Sequence, residues 1–255
     1  MFGGLVFGFS HLSSGHFLSW SVGGALLIGL IGLVGLTWRS LTVQVPVLNL
    51  RLFANMRFAG HVVGFFCTQL ISLGYAFLLP NYIQLVNHHS SLTAGLVVLP
   101  AGVAGAFFAP LGGRILDRWG ARRPILVGMT CCLLSLIIFS YLSRSMTDTE
   151  IMVIYILYMA GMGSCMGTVM TGALQVVGQE NQTQGNAILN ILQQFAGAMG
   201  TSITAAIVGL IQQSAAPLAA STATGTQHAF ILLTVLCAFI LLIYWWVVPQ
   251  KNTAQ

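Results

Sequence analysis

The sequence predicts an all-α membrane protein: one six-helix bundle with a further transmembrane helix in front of it. Three observations lead there. Charged residues make up 5% of the 255-residue chain, against about a quarter in ordinary soluble domains. Hydrophobic residues reach 56% and mean hydropathy is +0.89, so no polar shell can be built and lipid must solvate most of the surface. The charges that exist fall between long uncharged runs, at 58–113, 124–143, 151–179 and 181–250. Each is long enough for at least one crossing of about 20 residues. Lipid satisfies no backbone hydrogen bonds, so the runs should be helices, and the short alternating segments of a transmembrane β-barrel are missing.

Turn residues and charges divide the chain in order. A short apolar stretch, 2–9, is too short to span. The first crossing is expected at 20–38, ending at Arg39, and a connector follows with Arg51 and Arg57. Six more are expected at 59–79, 93–116, 124–142, 151–177, 185–211 and 228–248. Pro124 suits the first turn of its helix. "PNYIQLVNHHSS", "SRSMTDTE" and "QQSAAPLAASTATGTQ" read as the loops between spans. The domains are therefore 1–58, linker helix and connector; 59–248, the six-helix unit; and 249–255, a tail.

Orientation follows from the basic residues. With alternating crossings, Arg39, Arg51, Arg57, Arg114, Arg118, Arg122, Arg123 and Lys251 collect on one side and only Arg144 on the other. The positive-inside rule makes the first side, and with it the carboxyl terminus, cytoplasmic. A multi-pass protein of the cell membrane is expected.

The most informative stretch is "GRILDRWGARR", Gly113–Arg123, which holds four of the nine Lys and Arg and one of the four acids. Gly113, Asp117, Arg118, Gly120, Arg122 and Arg123 fall in the order G-x-x-x-D-R-x-G-x-R-R. This resembles the signature loop of the major facilitator superfamily, between the second and third helices of a six-helix half. Ala121 stands where the family often has its first basic residue, which displaces the arginine pair by one position. "VPVLNLRLFANMRFAG", "SSLTAGLVVLPAGVAGAFFAPLGGRILDRWGA" and "QGNAILNILQQFAGAMGTSITAAI" are similar to the second half of fourteen-span drug:proton antiporters. The span at 20–38 then corresponds to one of the two helices that separate the halves in that branch.

On physical grounds Gly113 should let helix ends approach closely and Gly120 should permit the tight turn. Asp117, at a helix carboxyl end, is unfavourable alone and wants a cation or a neighbouring helix amino terminus. It either latches the loop, as the resemblance implies, or pairs at the surface with Arg114 or Arg118.

Facilitators rock two six-helix halves about a midplane site, and this sequence holds one loop motif and no acid at a span centre. The resemblance implies a carboxyl-terminal half needing a complementary amino-terminal half, exporting hydrophobic small molecules against protons. A non-transporting membrane interaction protein and a half-size carrier acting as a homodimer remain alternatives. Gln69, Tyr75, Asn190 and Gln194 are candidates for lining the substrate cavity. The competing reading for the amides is bonding between helices.

Met159, Met162, Met166 and Met170 read as packing, and Gly163 with Gly167 as close helix contact. His61 and His228 read as near span ends, His88 and His89 as solvated. The five cysteines lie inside spans at no metal-ligand spacing. No nucleophile with a base, phosphate loop or redox motif is present, so no enzyme, cofactor, metal or nucleic-acid role is expected.

Overall fold

The computed structural model describes residues 50–213 and 216–248. The crossing expected at 20–38 and the tail lie outside them. A 3-10 turn, Leu50–Ala54, leads into six helices: α1 Met56–Leu85, α2 Ser91–Trp119, α3 Arg122–Leu142, α4 Asp148–Val177, α5 Gln182–Gln212 and α6 Leu218–Val247. All six are long and apolar enough to cross a membrane, as the uncharged runs predict. The protein is an all-α, multi-pass membrane protein with a six-helix bundle.

The helices start where side chains satisfy their orphan amides. The Asn55 carboxamide accepts from the Arg57 and Phe58 amides, so α1 begins three residues before the expected 59. Ser90 caps α2 by accepting from the Thr93 amide. Thr147 and Glu150 form a reciprocal capping box at α4, which is why that helix begins at Asp148 instead of 151. Pro80, Pro100 and Pro110 sit inside helices, as membrane helices tolerate.

Two expected loops are largely helix. Pro80–Leu85 completes α1, with Tyr82 and Ile83 fully buried and the Met146 amide donating to the Tyr82 hydroxyl at 3.0 Å. At the other site α6 starts at Leu218, ten residues before the expected 228. The Ala/Ser/Thr composition there reads as a loop in water, but it makes a tight helix interface in lipid. The hydroxyls of Ser221, Thr222 and Thr224 donate to carbonyls one turn back. Gln212 on α5 donates to the Thr222 hydroxyl at 2.7 Å, and a Cβ at Gly225 would lie 2.9 Å from the Val208 Cα.

The bundle is built as two interlocked triplets. The second helix of each triplet packs on the first helix of the other: α2 along α4, and α5 along α1. Glycines set these approaches. A Cβ at Gly112 of α2 would fall 2.1 Å from the Ser164 carbonyl oxygen, and one at Gly163 of α4 2.3 Å from that of Gly105. In α5, a Cβ at Gly200 would fall 2.2 Å from the Leu70 oxygen of α1. The other four helices, α1, α3, α4 and α6, close around an aromatic centre. Tyr75 stacks on Tyr158 at 4.1 Å between centroids, Phe139 on Phe230 at 4.9 Å, and the Tyr75 hydroxyl pairs with the Ser135 hydroxyl at 3.3 Å.

Candidate functional site

The basic loop closes the end of the bundle formed by the carboxyl end of α2 and the amino end of α3. Gly120 ends α2 at φ 80°, a conformation that strains any side chain, so the expected tight turn is present. The close approach expected of Gly113 belongs to its neighbour. Gly112 faces α4, whereas a Cβ at Gly113 would meet nothing within 4 Å. One residue along a helix is about 100° of rotation, enough to turn a contact into an open position.

Asp117, Arg114 and Arg118 are exposed. The surface ion pair of Asp117 with Arg114 or Arg118 does not form, and Asp117 makes no ion pair among the described residues. Arg122 and Arg123 are held by aromatic faces instead. The Arg122 guanidinium lies 5.0 Å from the Trp245 ring centre and donates to the Trp245 carbonyl at 3.5 Å; that of Arg123 lies 5.3 Å from Trp119. Both contacts offset the unfavourable position of a cation at a helix amino terminus.

Two cavities meet at Asp117. One, of about 890 Å³, is a largely apolar groove between α2 and α3 floored by α4, with Arg114, Arg118 and Arg123 near Asp117. The other, of about 680 Å³, is more polar and runs beneath the loop among α1, α2, α4 and α6. Its walls include Asn55, Arg57, His61, Asp117 and Gln175. His61 was not singled out by sequence reasoning, which placed it near a span end. In the structure it is 2% exposed, and its Nδ1 is buried without a hydrogen-bond partner. Such an orphan costs about 1–3 kcal/mol. The available signal was its position as an ionisable side chain inside an otherwise uncharged run.

The four cavity candidates separate into two pairs. Gln69 and Tyr75 lie inside the bundle, Tyr75 at 0% exposure in the aromatic centre. Asn190 and Gln194 are exposed on α5. Asn186, one turn earlier, extends them into an i, i+4, i+8 stripe, and the Asn190 amide donates to the Asn186 carbonyl and carboxamide oxygens.

Met162 is buried, and Met159, Met166 and Met170 pack against the core, as expected. Gly163 makes the close helix contact expected of it; Gly167 is open. His228 lies within α6, its ring nitrogen 2.8 Å from the Thr224 carbonyl. At the opposite end of the bundle His88 and His89 are exposed, as expected, but His89 is not without a partner. Its ring nitrogen contacts the Asp148 carboxylate, and the Asn87 amide donates to the same carboxylate at 2.6 Å. His88 turns the chain there at φ 57°.

The apolar helices form two interlocked triplets, with a glycine-turned basic loop after the second helix, and make this a multi-pass membrane protein. The family model of the Major Facilitator Superfamily matches residues 1–201, and the chain belongs to that superfamily. It is 31% identical to the lincomycin resistance protein LmrB of Bacillus subtilis over 90% of this chain and 50% of that protein. It is 30% identical to LmrB of Listeria monocytogenes over 90% of this chain and 51% of that one. The multidrug resistance protein B homolog of Mycobacterium tuberculosis is 27% identical over 64% of this chain and 31% of its own length. The chain thus spans about half the length of the LmrB proteins it matches.

Proposed function

We propose that this chain is the carboxyl-terminal half of a multidrug efflux transporter, driven by protons and working with a complementary amino-terminal half. The observation that carries the reading is the amide stripe Asn186, Asn190 and Gln194, exposed along a helix apolar enough to span the membrane. Buried polar groups facing hydrocarbon are costly, so the stripe is better placed against a water-filled cavity at an interface between halves. Amides beside aromatic and apolar surface suit loose recognition of amphipathic small molecules. The names of the LmrB and Mycobacterium relatives point the same way.

Arg51, Arg57, Arg114, Arg118, Arg122 and Arg123 gather at one end of the bundle by the alternation of its helices. By the positive-inside rule that end, and the carboxyl terminus, face the cytoplasm. Asp117, free of an ion pair in this half, latches the basic loop during the rocking motion.

Expression of this chain in vesicles, with and without a complementary first half, tests the reading. Proton-driven dye export is expected only with both. In the paired protein Asn190→Leu with Gln194→Leu should reduce export about tenfold or more while insertion is unchanged, in line with the loss of one or two hydrogen bonds to a bound molecule. Export by this chain alone, or full export by the double variant, would overturn it.

A further inference from the structure

His61 stands out as an ionisable side chain inside the bundle. It sits in the second turn of α1, 2% exposed, in a niche shaped for it. On α4, a Cβ at Gly172 would lie only 3.2 Å from the His61 Cε1; on α6, the Tyr244 ring centre is 6.2 Å away. One polar atom in this niche, His61 Nδ1, is buried with no hydrogen-bond partner. The ring also forms part of the wall of the polar cavity beneath the basic loop, whose volume of about 680 Å³ has room for several waters at about 30 Å³ each. A neutral imidazole carries one acceptor nitrogen, and an ionisable group kept within a membrane segment marks an ion or proton pathway.

We propose that His61 is a proton-binding site, loaded from the basic end of the bundle through the cavity it shares with Asp117 and Arg57. A hydronium ion in the cavity gives its proton to the lone pair of a ring nitrogen; an N–H bond forms, water is left behind, and the imidazole becomes imidazolium. The charged residues that line this cavity with it come from two elements: Arg57 on α1 and Asp117 on α2. From α6 the titratable neighbour is Tyr244. α4 presents Gly172 and Gln175, and α5 carries no charged residue. Asp117, without an ion pair of its own, is the acid of this cavity.

The test is nitrogen-15 ring spectroscopy of the histidines in the full polypeptide, held in lipid nanodiscs and titrated from about pH 9 to about pH 4, across the ordinary histidine range. The resonance missing from His61→Gln should change from one ring N–H to two as acid is added. In Asp117→Asn that transition should move toward acid by at least about half a pH unit, because an attracting charge has gone. In Arg57→Gln, available if the first variant does not fold, it should move the other way. A ring that keeps one N–H throughout, or a transition unmoved by either substitution, would overturn the proposal. Substrate and gradient are absent from the measurement, so failure of the efflux reading leaves its outcome untouched.

Discussion

Helices α1 and α2 are near twins in length and hydropathy, yet 61% of the apolar centre of α1 is buried in the bundle against 17% of α2. α1 touches α4, α5 and α6 and carries the tyrosine at the middle of the aromatic centre. α2 leans on α4 along a glycine seam and turns Leu96, Leu99, Val103 and Phe107 outward. In water the second arrangement would be an aggregation-prone stripe; in lipid it carries no penalty. Hydropathy therefore tells that a helix spans, and small residues tell which side of it touches protein.

The sharpest way to break this contrast is to truncate one aromatic on each helix. Tyr75→Ala should cost about 3–5 kcal/mol, whereas Phe107→Ala, at 67% exposure, should stay within about 0.5 kcal/mol. Reversible unfolding in mixed micelles measures both. Equal losses would mean that α2 is as embedded as α1.

The next largest effect concerns the seam. Gly112→Ala pushes a methyl group into a backbone carbonyl that cannot swing aside, and should cost about 3 kcal/mol. Gly102→Ala, on the same helix with nothing within 4 Å, should be neutral or slightly stabilising, since alanine is the better helix former. Thermal stability of the two purified variants distinguishes them.

Smaller still is Tyr75→Phe. It removes the contact with the Ser135 hydroxyl and should cost about 1 kcal/mol, because Ser135 still donates to the Ile154 carbonyl at 2.9 Å. The smallest change is Arg122→Gln, which loses the stacking on Trp245 and should cost about 0.5–1 kcal/mol. Tryptophan fluorescence should report it even where stability barely moves.

The number and approximate positions of the six helices were legible because uncharged runs of this length have no other use in lipid. The carboxyl ends at Leu142 and Val177 fell where expected, whereas the Thr147–Glu150 capping box starts α4 three residues before the expected 151. The first three turns of α6 were hidden because serine, threonine and alanine mean a loop in one solvent and an interface in the other. The turn at Gly120 was readable from the motif. The seam was displaced from Gly113 to Gly112 because a motif fixes residue identity and not helix phase.

Separating Gln69 and Tyr75 from Asn190 and Gln194 required the packing itself. Gln69 and Tyr75 lie on a helix with no strong amphipathic period to mark its inner face, whereas Asn186, Asn190 and Gln194 recur every fourth residue on α5. His61 escaped notice because α1 was expected to start at 59. The Asn55 cap moves that start outward and draws the ring inside.

The grip of Arg122 on Trp245 joins residues 123 positions apart. During synthesis at roughly 5–20 residues per second, the loop emerges some 6–25 s before its aromatic anchor exists. For that interval its arginines have only lipid headgroups to hold. The sixth helix of the bundle is thus the one that fastens the basic loop, and a ribosome stalled before Trp245 would leave that loop unfastened.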